Sequence, residues 1–168
     1  ALAEAVTERL FTHHRSVVPV DYLDAELTNA RAALNWLFEQ GSEAADLSVR
    51  FANTIMNYFE RRGMIPEGIN WLSRALAIEG SRDQRRLDAH AKLGFSLWMI
   101  GDIEKAEASL NEAFRLHPDG GAGSYGGRTH FYMALVAWRK GPDHATVASE
   151  HLQRALQLFA VWDDGIGM

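Results

Sequence analysis

The chain has 168 residues, 47% hydrophobic and 23% charged, which is enough for one soluble domain with a real core. Its formal net charge of −5 argues against a general nucleic-acid binder, and the absence of cysteine excludes disulfides, thiolate zinc sites and thiol catalysis. No apolar run reaches the length of a membrane span and no signal peptide is recognisable, so a cytoplasmic location is expected.

Apolar residues recur at three- and four-residue spacing from end to end, and strand-like alternation is absent. The breakers Pro19, Gly41, Gly63, Gly80, Gly101, the Pro118–Gly127 stretch, Gly141 and Gly165 divide the chain into about eight helices. These are expected near 2–16, 21–40, 43–62, 66–79, 82–100, 102–117, 126–140 and 144–161. The opening "ALAEAVTERL" reads as the middle of a helix, so the chain is expected to be a piece of a longer protein. Short loops predict antiparallel hairpins.

Gly63, Gly101 and Gly141 each end a long helix and precede a shorter one, at intervals near 40 residues. Such a recurrence predicts an all-α solenoid of helical hairpins. The predicted parts are an N-terminal helix pair at 1–42, repeats at 43–81, 82–122 and 123–162, and the start of a further repeat at 163–168. The third unit needs two extra residues around Pro142-Asp143 to stay in register.

Leu93-Gly94, Leu97, Gly101, Ile103, Ala106, Leu110, Ala113 and Pro118 resemble one tetratricopeptide repeat. Phe59, Gly63, Ile65, Gly68, Leu72 and Ala75 resemble a second. Upstream, Glu26, Asn29, Arg31, Ala32, Ala33, Leu34 and Trp36 in "YLDAELTNARAALNWLFEQG" resemble the helix that precedes such repeats in bacterial LuxR-type activators of the STAND class. The resemblance implies a right-handed solenoid that serves as the sensor and interaction region of an ATP-dependent transcriptional regulator, with the ATPase and DNA-binding modules elsewhere in the polypeptide. A general protein–protein scaffold or self-association module is the alternative.

Chemistry within the chain is not expected. "DGGAGSYGGRTH" at 119–130 imitates a phosphate loop, but a helix precedes it, one glycine is extra, and Arg128 stands where lysine is needed. It is read instead as a flexible joint, with Ser124 capping the helix that follows. His13 and His14 are adjacent and diverge on a helix, whereas His144 and His151 share a face without a third ligand. His90 and His130 occupy equivalent packing positions, so no metal and no cofactor are expected. No nucleophile elbow or paired-carboxylate frame points to an enzyme.

In tetratricopeptide repeats the first helix of each hairpin lines a concave groove, and that register places Asn53, Asn57, Phe95, Trp98, Arg128, Phe131 and Trp138 there. The aromatics suit a protein or peptide partner, or a small sugar-like inducer, unless they pack against neighbouring helices of the same chain. No direct nucleic-acid or membrane contact is expected, and a homodimer through exposed repeat ends is.

Overall fold

The computed structural model describes residues 20–80, 83–118 and 123–166. They form seven α-helices, and no strand occurs among the described residues. The helices are α1 (Val20–Glu39), α2 (Ala45–Arg61), α3 (Ile65–Ala77), α4 (Gln84–Met99), α5 (Ile103–Leu116), α6 (Gly123–Lys140) and α7 (Ala145–Ile166). Among the described residues the count is seven where about eight were expected for the chain, and the helix expected at 2–16 lies outside them. Contacts cluster into two units, 1–81 and 82–168.

In the first unit α2 and α3 form a hairpin, and α1 packs on both. Leu34, Leu37, Phe51, Met56, Phe59 and Leu72 are fully enclosed between them. Arg31 of α1 forks onto Glu67 of α3 through two bonds of 2.7 Å, and the Trp71 indole donates to the same carboxylate at 3.1 Å. These contacts, Arg31 above all, hold the Glu67 carboxyl below the usual range. Tyr58 donates to Asp24 at 2.7 Å, and Arg62 pairs with the same side chain. The Tyr58 hydroxyl is the main reason that the Asp24 carboxyl is also held low. Arg74 lies over the rings of Phe38 and Trp71, at 4.6 and 5.0 Å from their centroids.

In the second unit α4–α5 and α6–α7 are hairpins, and α6 packs against both α4 and α5. Asp83 caps α4 by accepting from the amides of Arg85 and Arg86, and Asp102 caps α5 through Lys105.

Two turns thirty-eight residues apart have the same hydrogen bonds. At Gly63 (φ 70°), Met64 N–H donates to Phe59 O at 2.8 Å and Gly63 N–H to Glu60 O at 3.2 Å. At Gly101 (φ 85°), Asp102 N–H donates to Leu97 O at 3.0 Å and Gly101 N–H to Trp98 O at 3.1 Å. Each is a Schellman cap, in which a left-handed residue lets two outer amides satisfy the last helical carbonyls. At Gly141 the shorter bond survives, to Trp138 O at 3.2 Å. Pro142 has no N–H to make the longer one. A 3-10 turn at Pro142–His144 fills the gap before α7, which accounts for the two extra residues there.

The hairpins also share a crossing point. A Cβ on Gly94 of α4 would stand 2.6 Å from Leu110 Cγ and 3.0 Å from the Ala106 carbonyl oxygen of α5. In the first unit the glycine sits on the other helix: a Cβ on Gly68 of α3 would meet Met56, and Phe59 Cβ at 3.0 Å. The third hairpin has Ala134 and Ala148 at these positions, both buried.

The glycine-rich joint is corrected in its second half. Helix α6 begins at Gly123, so Ser124, Gly126 and Gly127 lie inside it and Ser124 is no N-cap. Gly127 is buried because a Cβ there would stand 2.6 to 2.9 Å from the Phe159 ring of α7. Close approach between helices, rather than rotational freedom, is what that glycine supplies. Positions 119–122 lie outside the described residues. Helix α7 also runs through Gly165, to Ile166.

Candidate functional site

The first helix of each hairpin presents one stripe at three- and four-residue steps. In the first unit the stripe on α2 carries Asn53, half-buried, and Asn57, exposed. The other five predicted residues belong to the second unit, where they follow one another along α4 and α6.

Three contacts tie the α4 stripe to α6. At one end the Arg128 guanidinium meets the Asp88 carboxylate at 2.6 Å and lies over the Tyr125 ring, 5.1 Å from its centroid. In the middle Phe95 stacks on Tyr132, with centroids 4.5 Å apart and planes 18° from parallel. At the other end the Trp98 indole N–H donates to Leu135 O at 3.2 Å. Trp98 also stacks on Phe95, at 5.8 Å and 14°. Asp88, Phe95 and Trp98 therefore use much of their bonding and ring surface within the protein, and each leaves an edge exposed.

The α6 stripe is different. Phe131 is 39% exposed and Trp138 is 74% exposed, seven residues apart on the same helical face. Phe131 leans on Tyr132 at 6.0 Å. Trp138 is the most exposed of the large apolar side chains described. Leaving an indole of this size in water is unfavourable by roughly 25 cal/mol for each Å2 of apolar surface not buried. Beside it α6 ends in Arg139 and Lys140, and Lys140 is held at 2.8 Å by Glu107 of α5. The stacked rings of the seam, the exposed Phe131 and Trp138, and Arg139 and Lys140 at the end of α6 together offer a surface able to bury apolar groups.

Sequence reasoning did not anticipate Tyr132. It is not at a groove position in the expected register, and the packing of α6 on α4 brings it against Phe95. Arg128, expected in the groove, forms an ion pair with Asp88 of α4 and keeps part of its side chain exposed. His130, expected at a packing position, meets His151 across the α6–α7 hairpin, with Nδ1 atoms 2.8 Å apart.

His90 of α4 is neutral in the fold: burial pushes its pKa down to about 4. Among the described residues no three His, Asp or Glu side chains converge to hold a metal ion. No described helix is long and apolar enough to cross a membrane. Compared with known proteins, the chain matches no family model and no curated protein.

Proposed function

We propose that the chain is a tetratricopeptide-like right-handed solenoid whose function is to bind a protein or peptide partner along the α4–α6 stripe. The observation that carries this reading is Trp138, 74% exposed on the same helical face as Phe131, whose ring lies 6.0 Å from Tyr132 of the Trp98–Phe95–Tyr132 stack. Rigid aromatics of this kind dominate binding energies because they bury large area at small entropic cost. The partner segment is an apolar stretch, extended or helical, with an acidic residue near Arg139.

Two features support the repeat architecture behind it: the pair of identical glycine caps and the shared small-residue crossing. The segment at 22–41 supports the wider context, a sensor and interaction arm of a signal-responsive bacterial transcriptional regulator. Its Arg31 fixes α1 to α3 through Glu67, which would transmit movement between an upstream module and the repeats. In that context binding at the stripe favours one arrangement of the arm over another. No chemistry is assigned to this chain.

Photo-crosslinking in the full-length protein tests the reading. A photoreactive residue replacing Trp138 should give one discrete adduct, and the same residue at the exposed Lys105 of α5 should not. Identical adducts at both positions, or none at 138, would contradict it.

A second reading rests on α7. There Leu152 is 40% and Leu156 69% exposed, one turn apart. Such a face suits self-association, which makes the chain a scaffold. Sedimentation equilibrium distinguishes the two: a mass that stays monomeric across a hundredfold concentration range excludes it.

A further inference from the structure

Three helices of the second unit meet at one pair of rings. His130 of α6 and His151 of α7 face each other with Nδ1 atoms 2.8 Å apart and ring centroids 5.1 Å apart. Phe114 of α5 covers both, edge-on to His130 at 5.0 Å and tilted against His151 at 5.7 Å. Both imidazoles are half-buried.

A bond between two Nδ1 atoms requires one N–H and one lone pair. Two neutral rings meet that condition. One imidazolium donating to one neutral ring meets it as well, with a stronger, charge-assisted bond. Two imidazolium rings cannot meet it, because two N–H groups then point at each other and two like charges lie within a partly desolvated space.

The charged surroundings offer limited compensation. On α7 the Glu150 carboxylate favours the charged form of His151, but burial outweighs it and holds His151 below the usual histidine range. On α5 Glu112 is bound to Arg115 at 2.7 Å, and His117 ends that helix. On α4 Asp88 is bound to Arg128 of α6 at 2.6 Å, and His90 occupies the position equivalent to His130.

We propose that His130 and His151 form a proton-operated latch that holds α6 to α7 while at most one of the two rings is charged and releases them when both are. The release acts on the helix that carries Phe131 and Trp138, so acid alters the presentation of that stripe. The latch itself does not depend on what the stripe binds.

The experiment is a titration of the intact chain with 15N-labelled histidine from pH 8 to pH 4, with amide hydrogen exchange measured in parallel. The two rings should titrate as a coupled pair with apparent pKa values more than one unit apart. Amide exchange in α6 and α7 should rise at least tenfold with the second proton. In His151→Gln or His130→Gln, where a hydrogen bond is possible without a second charge, that step should disappear or move down by a pH unit or more. His90→Leu should leave it in place. Independent titration of both rings near 6.5 would overturn the proposal, as would a step that vanishes in His90→Leu, or one that persists at the same pH when His151→Gln is added to that background. If the glutamine variants fail to fold, the coupling seen in the unaltered protein decides alone.

Discussion

Replacing Gly94 by alanine tests how closely the two helices of a hairpin cross. In a free helix this change is favourable by about 1 kcal/mol, because glycine has the greater freedom to lose. Here the new methyl would stand 2.6 Å from Leu110 Cγ, 3.1 Å from its Cδ2 and 3.0 Å from the Ala106 carbonyl oxygen. Ordinary carbon contacts lie at about 3.5 to 4.0 Å, so the overlap with Leu110 is roughly 1 Å. Leu110 and Ala106 are fully buried, and the Ala106 oxygen belongs to the α5 backbone, so neither can swing aside. Overpacking of this kind costs about 1 to 3 kcal/mol, and against a branch carbon with a fixed backbone behind it the upper half of that range applies. The net expectation is a loss of about 1 to 2 kcal/mol. Urea unfolding followed by circular dichroism should show it as a lower midpoint with an unchanged slope. A double-mutant cycle isolates the cause: in a Leu110→Ala background, itself destabilised by about 2 to 5 kcal/mol, Gly94→Ala should lose most of its cost. An increase in stability from Gly94→Ala alone would refute the close crossing.

Gly63→Ala and Gly101→Ala should each cost about 1 to 2 kcal/mol for a purely conformational reason, since a Cβ at either meets nothing within 4 Å and the strain lies in the positive φ. Equal losses in urea unfolding are expected, and loss at only one would show the two turns to be different. His90 should make the second unit acid-sensitive. With its pKa near 4 in the fold and 6.5 in the unfolded chain, stability is complete above pH 6.5 and falls as pH drops towards 4. The full loss is about 3 kcal/mol. His90→Leu should flatten that window in unfolding measurements made at several pH values, and an unchanged slope would contradict the burial argument. Trp98→Phe should cost about 1 kcal/mol by removing the indole bond to Leu135 O, read as a lower thermal midpoint.

The glycines at 63 and 101 were legible as turns because nothing but a left-handed cap explains a glycine between an amphipathic helix and the next. The extra length at Pro142 was legible from register alone; its cause, a proline that cannot supply the second capping amide, was not. Gly127 was not. Its density of glycine neighbours suggests a loop, and only Phe159, thirty-two residues later, supplies the ring that demands a missing side chain. The aromatic stripe was half legible. Spacing placed Phe95, Trp98, Phe131 and Trp138 on the first helices of their hairpins, but it could not divide stacked rings from exposed ones. That division depends on how far α6 is turned against α4, which brings Tyr132 rather than solvent to Phe95. His151 shows the same limit: spacing put it on one face with His144 and named no partner, whereas the antiparallel helix supplies His130.

The central claim is that the α6 end of the stripe is where a partner binds. The direct test is calorimetry of the intact chain with apolar peptides selected against it, repeated on Trp138→Ala. Trp138 makes no described ring contact within the chain, so the variant should keep its unfolding midpoint. The account predicts an affinity at least thirtyfold weaker, equivalent to about 2 kcal/mol. Peptides that bind Trp138→Ala as tightly as the unaltered chain would contradict it.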